Sequence, residues 1–374
     1  MTILDLSDER PIYLAGWGAM AGPLRYSNAE VCEAFGLPAA VAAEVEEKIG
    51  TRFRHSCTDL RTKEQLVAAS TMGSKAAAMA LETGGLSADA VQAVIGLATV
   101  PDYLCPSLAV RVQKLLGLSG GLTFDLLGGC GAWGQGMFLA AQLLHSRAVE
   151  TALVVSAEPV TRVIWTMRRA WEVLAFGDGA AAMVLSTRHQ GPFILRRCGL
   201  DTVADLGGCR DEIISLPVLG EVLPPLLARS DRVDPELPPV SCPDAYRLVH
   251  RADLAAKWGA HYMAAAVEAI SEGIDRRELY LCPHQPSRVV LEAVQQRLGL
   301  PGEQVALINP EFGNLSSASS PTAFCERFAE GPARHRWTVL APIGTGLTYG
   351  AALLERVGDV TTDTRRPDAE VLWK

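Results

Sequence analysis

One order of short apolar runs and helical patterns occurs twice along this chain, and it limits the possible folds more than any other feature. The runs of the first series are AVIGLATV, TFDLL, TALVVSAE and GAAAMVLS, which begin at Ala93, Thr123, Thr151 and Gly179. Those of the second series are LYLCP, VALINPEFG and TVLAPIGTG, which begin at Leu279, Val305 and Thr338. Buried strands that alternate with helices predict an α/β fold with largely parallel strands. The repetition predicts two similar halves, residues 1–190 and 191–374.

The regular order is interrupted early in the second half. From about residue 201 to 246 the chain is irregular and rich in proline, as in LPPLLARSDRVDPELPPVSCP. Structureless stretches of this length usually carry a function or lack a fixed conformation. We therefore predict an insertion that covers the second half.

Composition restricts the partners of the chain. Its 374 residues are 49% hydrophobic and 20% charged, as in ordinary globular proteins, and the net charge is -8. A negative net charge disfavours attraction to nucleic acid or to anionic membrane surfaces. Uncharged apolar stretches stay well short of the ~20 residues that a membrane-spanning helix needs. We expect neither nucleic acid nor a membrane as a partner.

The nine cysteines indicate the redox environment. They form no CxxC pair and no spaced set with histidines, so neither a metal site nor a disulfide framework is predicted. An odd number of scattered cysteines fits the reducing cytoplasm better than secretion. The acidic N-terminus also lacks the basic region of a signal peptide. The predicted location is the cytoplasm.

Cys130 lies between glycines, where an apolar strand gives way to a helical pattern. At the first turn of a helix, free backbone N–H groups and the positive end of the dipole favour thiolate over thiol. Gly128 and Gly129 allow the sharp turn that such a position needs. The sequence therefore indicates a nucleophile, although a free cysteine is more often a small buried hydrophobe.

Two polar side chains of the second half follow apolar runs. His284 lies between two prolines directly after LYLCP, and Asn314 follows VALINPEFG before a serine-rich turn. Ligands bind at the carboxyl ends of strands in α/β sheets, so Cys130, His284 and Asn314 can converge on one cleft. A core histidine and an asparagine that serves its turn are the alternative interpretations.

Several segments together resemble the β-ketoacyl-acyl-carrier-protein synthase III group of the thiolase superfamily, along most of the chain. The segments are FDLLGGCGAWGQG, AFGDGAAAMVL, PHQPSRVVLEAVQQRLGL, GNLSSASSP and GTGLTYGAALL, from Phe124, Ala175, Pro283, Gly313 and Gly344. ATVPDYLCPSLAVRVQKLLGL, from Ala98, is similar to a segment that crosses the dimer interface in these enzymes. The resemblance implies a duplicated, five-layered αβαβα fold, a homodimer and a catalytic triad of Cys130, His284 and Asn314.

The implied reaction is a decarboxylative Claisen condensation on thioesters of coenzyme A or acyl carrier protein, with no bound cofactor or metal. Cys130 would attack an acyl thioester and hold the acyl group. The backbone N–H groups of Cys130 and Thr345 would form the oxyanion hole. His284 and Asn314 would donate hydrogen bonds to the enolate that forms when a malonyl thioester loses carbon dioxide.

This chain departs from the pattern of the family at several positions. Gly128 and Gly129 stand where alanines are usual, and Thr345 replaces the middle glycine of a loop. Cys105 and Trp133 are the expected acyl-pocket residues; Cys105 stands where the partner subunit often supplies a bulky aromatic side chain. A smaller side chain there predicts a longer or branched acyl group. The departures together predict a role in specialised, polyketide-type metabolism.

Two other functions remain open at this stage. An acyltransferase that moves the acyl group to an amine or hydroxyl would keep Cys130 and His284 but would need a base. A catalytically silent subunit that supports an active paralogue is the second alternative, and the intact triad argues against it.

Overall fold

The structure, a computed structural model, describes residues 1–6, 9–165, 170–204, 214–215, 249–250, 252–329 and 335–358. Most of the proline-rich insertion expected at about residues 201–246 therefore lies outside the described residues.

Strands and helices alternate through both halves of the chain, as the apolar runs predict. The strands are β1 (Thr2–Asp5), β2 (Ile12–Ala21), β3 (Leu24–Ser27), β4 (Phe53–Ser56), β5 (Ala93–Leu97), β6 (Leu122–Leu126), β7 (Thr151–Glu158), β8 (Gly179–Ser186), β9 (Phe193–Thr202), β10 (Ile214–Ser215), β11 (Val249–His250), β12 (Leu279–Pro283), β13 (Trp337–Ala341), β14 (Ile343–Gly344) and β15 (Thr348–Arg356). The α-helices are α1 (Asn28–Phe35), α2 (Ala39–Lys48), α3 (Ala69–Thr83), α4 (Leu108–Leu115), α5 (Ala132–His145), α6 (Thr161–Ile164), α7 (Ala170–Ala175), α8 (Ala252–Ile270), α9 (Arg288–Leu298), α10 (Asn309–Phe312) and α11 (Ser319–Ala329).

An 11-stranded sheet forms the centre of the fold, in the order β12-β13-β15-β9-β2-β8-β7-β5-β6, with β1 paired to β9 and β14 paired to β15. It consists of two half-sheets, which meet where residues 12–14 of β2 pair with residues 193–195 of β9. The strands β2, β8, β7, β5 and β6 form the N-terminal half-sheet. Strand β1 begins the chain but lies in the other half-sheet, and the division of the chain at residue 190 stays a prediction.

Helices cover both half-sheets and fill the space between them. Helices α3 and α4 pack on one face of the N-terminal half-sheet, and α8 and α9 pack together on the far side of the C-terminal one. Helices α5 and α11 contact strands of both half-sheets. The resulting order is helix, sheet, helix, sheet, helix, and the expected five-layered αβαβα fold is confirmed.

Helix α5 lies in the middle layer, directly after the cysteine-containing turn. The side chains of Trp133, Met137, Ala140 and Leu144 are fully buried along one stripe, at the spacing that the sequence predicts. They belong to a core that also includes residues of both half-sheets. This packing fixes the start of α5, and with it the position of Cys130.

Two expectations about the strands are wrong. Only β5–β6, β5–β7 and β12–β13 are parallel pairs in the described part of the large sheet; the other pairs are antiparallel. Helices cover both faces of the half-sheets, so a buried antiparallel strand has the same continuous apolar run as a parallel one. The run VALINPEFG also forms no strand: Val305 makes a single bridge to Leu281, and the chain continues into α10.

Candidate active site

A cavity of about 510 Å³ contains all three predicted catalytic side chains in its wall. Cys130 comes from the first half of the chain, and His284 and Asn314 come from the second, as expected from their places after apolar runs. Thr99, Ser316 and Thr345 add hydroxyl groups to the same wall. Much of the remaining lining is apolar and includes Val100, Val160, Val163, Ile164, Ile343 and Leu347.

Cys130 lies in a 3-10 turn, Gly129–Gly131, that runs directly into α5. The turn packs tightly against β14: a Cβ on Gly344 would lie 2.1 Å from the nitrogen of Gly131 and 2.8 Å from the Cβ of Cys130. Only glycine fits at position 344, because no side-chain carbon tolerates such a distance. The close contact holds the thiol at the cavity wall.

Burial favours the protonated form of the Cys130 thiol. Burial raises its pKa to about 12, and the charge of Glu158 adds to the rise, whereas a hydrogen bond with the side chain of Ser316 lowers it. The thiolate that the helix start is expected to favour at Cys130 stays a prediction. Loss of water around the sulfur opposes the stabilisation by the helix dipole, which is worth about 1 kcal/mol.

His284 is buried, which favours the neutral form of its imidazole. It follows β12 directly, its backbone N–H donates to the carbonyl of Ala341 at 2.9 Å, and its side chain is 3% exposed. Burial lowers the pKa of His284 to about 3, and a hydrogen bond with the backbone of Ser316 opposes the change. A neutral ring keeps one N–H donor and one acceptor at physiological pH.

Asn314 is held in one orientation. Its backbone N–H donates to the carbonyl of Ala175 at 2.8 Å, and its carbonyl accepts from Gly177 at 3.1 Å. The side-chain oxygen accepts from the backbone N–H of Ser316 at 2.8 Å and from the hydroxyl of Ser319 at 3.5 Å. Because the side-chain oxygen already accepts these hydrogen bonds, the NH2 group is the part of Asn314 that remains as a donor to the cavity. The side chain thus presents a donor, as the sequence interpretation requires.

Thr345 lines the cavity beside the cysteine turn and takes an ordinary backbone conformation. The left-handed conformation of this loop falls on Gly346, whose φ is +127°. A β-branched residue is therefore tolerated at position 345. The role of its N–H in an oxyanion hole stays a prediction.

The two expected acyl-pocket residues do not line the cavity of a single chain. Trp133 is 0% exposed and packs inside the middle layer, because its position on α5 faces the core rather than the cavity. The place of Trp133 in an acyl pocket stays a prediction. Cys105 is exposed on the surface, and its predicted contact with an acyl group depends on a second subunit.

Sequence reasoning missed Glu158, Thr99 and Ser316. Glu158 ends the fully buried strand β7, and its carboxylate accepts hydrogen bonds from Thr99. A charged residue at the end of an apolar run is the signal that the sequence contained, since a buried charge always needs partners. Ser316 stood within a segment that reads as an ordinary turn, and nothing in the sequence pairs it with Cys130.

A duplicated arrangement of two half-sheets in five layers, with a cavity walled by both halves, defines the thiolase-like class of α/β enzymes. The profile of the 3-oxoacyl-[acyl-carrier-protein (ACP)] synthase III family matches residues 124–199, and the profile of the C-terminal part of that family matches residues 271–356. A β-ketoacyl-ACP synthase III from Nitratidesulfovibrio vulgaris is 32% identical over 315 residues, which cover 83% of this chain and 88% of that protein. The chain belongs to the β-ketoacyl-ACP synthase III family, and it is an acyltransferase of the ketosynthase III type.

Solved structures agree with this assignment. The crystal structure of 3-oxoacyl-ACP synthase III from Pseudomonas aeruginosa aligns with a TM-score of 0.73 at 25% identity and covers 94% of this chain and 99% of that one. The priming β-ketosynthase of a polyketide biosynthetic pathway shares the fold, with a TM-score of 0.73 at 22% identity over 95% of this chain and 99% of that one. Among the described helices, none is long and apolar enough to cross a lipid bilayer.

Proposed function

We propose that this chain condenses a Cys130-bound acyl group with a malonyl-type thioester. The observation that carries the proposal is that the imidazole of His284 and the amide of Asn314 share the cavity wall with Cys130. An enolate is negatively charged, so neutral N–H groups stabilise it and a carboxylate would repel it. The orientation of Asn314, with its oxygen bonded to Ser316, supports this role.

The reaction has two halves. In the first, the sulfur of Cys130 attacks the acyl carbonyl, the carbon–sulfur bond of the donor breaks, and the donor thiol leaves. In the second, the malonyl thioester loses carbon dioxide, and the electrons of the broken carbon–carbon bond form the enolate. The enolate carbon attacks the acyl-cysteine and releases the Cys130 thiolate, which then takes up a proton. The N–H groups of Cys130 and Thr345 hold the oxyanion in both attacks.

The apolar part of the wall supports an acyl chain as the cargo. A cavity of about 510 Å³ is large enough for a medium-length acyl group beside the reacting atoms. The rim contains Lys48, Trp171 and Val289, where the pantetheine arm of coenzyme A or of acyl carrier protein would enter. The similarity to a polyketide priming synthase supports a role in specialised metabolism.

A homodimer is part of the proposal. Strand β6 is the edge of the large sheet, and its residues are exposed or half-buried, whereas β5, β7 and β8 are completely buried. Leu104 and Leu127 near this edge are 75% and 69% exposed. An open edge with large apolar side chains favours pairing with a second copy, which would also bring Cys105 to the partner's cavity.

All cysteines described are free thiols, which supports a location in the reducing cytoplasm.

The release of carbon dioxide tests the condensation against simple acyl transfer. The protein is loaded with octanoyl-coenzyme A and then mixed with malonyl thioesters of coenzyme A and of acyl carrier protein. We expect release of carbon dioxide and a β-ketoacyl product, both absent in Cys130→Ala and retained in Cys325→Ala. Transfer of the octanoyl group to amines or alcohols without carbon dioxide release would support the acyltransferase instead.

A further inference from the structure

One buried carboxyl group beside the cavity has no role in the condensation described above. Glu158 is 0% exposed at the end of β7. Its Oε2 atom accepts from the backbone N–H of Thr99 at 2.8 Å, and its Oε1 atom accepts from the Thr99 hydroxyl at 3.1 Å. Oε1 also accepts from the backbone N–H of Ser317 at 3.3 Å and from the Ser317 hydroxyl. Four donors stabilise a carboxylate that would otherwise be too costly to bury.

Hydrogen bonds lead from this carboxylate to Ser316, which lies beside the nucleophile in the cavity wall. The hydroxyl of Thr99 lies 2.9 Å from the hydroxyl of Ser316, and either oxygen can be the donor. The side chain of Ser316 interacts with the Cys130 thiol and lowers its pKa, and both residues line the same cavity. Thiol, hydroxyl, hydroxyl and carboxylate therefore follow one another, and each hydroxyl can accept one proton while it donates another.

We propose that Glu158 accepts the proton of the Cys130 thiol through the hydroxyls of Ser316 and Thr99 when the acyl group is loaded. The thiol proton moves to Ser316, the Ser316 proton moves to Thr99, and the Thr99 proton moves to Oε1 of Glu158. The net change is one sulfur–hydrogen bond broken and one oxygen–hydrogen bond formed. Glu158 acts on the sulfur through other groups, so it is a positioning residue. This inference rests on the nucleophilic role of Cys130 in the proposed function.

The charges of the site favour Glu158 over His284 as the proton acceptor. Burial raises the pKa of Glu158 to about 7, within reach of a proton transfer at physiological pH. His284, the other candidate, has a pKa lowered to about 3, so it holds a proton less readily. Transfer to Glu158 moves one negative charge from carboxylate to sulfur, and the ionised carboxylate no longer opposes the thiolate. Transfer to His284 would create two new charges and leave that opposition in place.

The backbone at Ser316 supports a functional role. Its φ of +51° is left-handed, which only three non-glycine residues adopt in the described part of the chain. The other two, Lys63 and Arg147, lie on the surface, whereas Ser316 is 2% exposed. Such conformations cost about 1 kcal/mol or more, and they persist where the surrounding structure holds them in place.

The titratable groups around Glu158 come from three elements. Cys130 faces it from the turn before α5, and its interaction with Glu158 raises the thiol pKa. Asp178 precedes Gly179, the cross-strand partner of Glu158 on β8, and accepts from Cys57 and Thr161 instead. His284, after β12, contacts the backbone of Ser316. The pH dependence of Cys130 reactivity therefore has to be compared between variants and the wild type.

The rate of Cys130 acylation as a function of pH tests the proposal. The full chain is mixed with octanoyl-coenzyme A, without a malonyl donor, and the adduct is followed by mass spectrometry between pH 5.5 and 9. The wild-type rate is expected to rise to a plateau with an inflection near the pKa of Glu158. Glu158→Gln and Thr99→Val should remove the inflection and lower the rate at pH 8 about 100-fold, because general base catalysis typically contributes that much.

Two matched variants separate a relay from a structural role. Thr99→Ser keeps the hydroxyl and should restore both the rate and the inflection. Ser317→Ala removes a donor to Glu158 outside the path, so it should keep the plateau but shift the inflection to higher pH. A purely structural role for Glu158 predicts lower stability with an unchanged inflection. If Thr99→Val and Glu158→Gln both keep the wild-type inflection and rate within about twofold, the relay is wrong.

Alkylation of Cys130 by iodoacetamide supplies a second readout that needs no acyl recognition. Its rate follows the thiolate fraction, so a plateau in wild type and a steady rise with pH in Glu158→Gln are expected. Identical profiles in the two proteins would contradict the proposal even if octanoyl-coenzyme A proves to be a poor donor. Failure of the condensation itself would show instead as a missing malonyl-dependent product, with the acylation profile unaffected.

Discussion

The hydroxyl of Thr345 donates a hydrogen bond to the backbone carbonyl of Gly128 at 2.9 Å. This contact ties the loop after β14 to the turn that carries the nucleophile. It also explains Gly129, because a Cβ at that position would lie 2.9 Å from Oγ1 and 3.0 Å from Cγ2 of Thr345. The threonine in the loop therefore packs directly against the glycine before the cysteine.

The contact between Gly129 and Thr345 predicts that substitutions at the two positions change the free energy of unfolding non-additively. Gly129→Ala should destabilise the protein by about 1–3 kcal/mol, since it overpacks against Thr345 and places alanine at a φ of +53°. In the double variant with Thr345→Gly, the loss should be about 1 kcal/mol smaller than the sum of the single losses.

Urea denaturation of the four proteins measures this coupling. Thr345→Val is the matched control, because it keeps the branched shape and removes only the hydroxyl. It should leave the effect of Gly129→Ala in place. Additive losses in the Thr345→Gly cycle would show that the two positions are independent.

Asn314→Asp separates the two half-reactions. Aspartate keeps the oxygen that accepts from Ser316 and replaces the NH2 donor by a second oxygen. A negative oxygen opposite the enolate should lower malonyl-dependent carbon dioxide release about 100- to 1,000-fold. Acylation of Cys130 by octanoyl-coenzyme A should change only a few-fold. An equal loss in both steps would indicate that Asn314 maintains the site rather than binds the enolate.

The lowered pKa of His284 should make the free energy of unfolding depend on pH. Its pKa is about 3 in the folded protein and 6.5 as the ordinary value, so below pH 6.5 the unfolded chain binds a proton that the folded protein does not. This group therefore lowers the free energy of unfolding as the pH falls from 6.5 towards 3. Glu158 and Asp178, whose pKa values are raised to about 7 and 6, act in the opposite direction.

The contribution of His284 is measured by difference. Between pH 7 and pH 5, His284→Gln should lose about 2 kcal/mol less stability than wild type in urea denaturation. His145→Gln changes an exposed histidine on α5 and should match the wild type. Parallel pH profiles for wild type and His284→Gln would mean that the buried ring is charged.

The size of the side chain at position 105 is expected to set the length of the acyl group. If a second copy brings this exposed residue to the cavity, the larger side chain of Cys105→Phe fills space there. The preferred donor should then become shorter by about two to four carbons, because each methylene that no longer fits loses about 0.8 kcal/mol of burial. Competition among acyl-coenzyme A donors measures the profile. Cys105→Ser, which changes little volume, is the control, and an unchanged profile in Cys105→Phe would remove Cys105 from the pocket.

Local patterns predicted most of the strands, because an apolar run between two helical patterns is typical of a buried strand. TALVVSAE and GAAAMVLS form β7 and β8 over their full lengths. Strand direction was mispredicted because both faces of each half-sheet are covered, which removes the alternation that marks many antiparallel strands. VALINPEFG was mispredicted because an apolar run of that length does not distinguish a strand from other buried segments.

The site was predicted only in part. Cys130, His284 and Asn314 occupy recognisable positions after apolar runs, and they meet in one cavity. The protonation state of the thiol depends on how much water the folded site excludes, which no spacing of residues encodes. Trp133 packs in a middle layer whose presence the local sequence does not reveal. The path from Ser316 to Glu158 joins residues 158 positions apart in the sequence, so only the fold brings them together.

Intact-mass measurement of the protein after incubation with octanoyl-coenzyme A tests the central claim most directly. One octanoyl adduct should form on Cys130, stay when malonyl donors are absent, and disappear with release of carbon dioxide when they are added. Cys130→Ala should show no adduct, and Cys325→Ala should behave like wild type. An adduct that survives in Cys130→Ala, or one that malonyl donors do not discharge, would contradict the account.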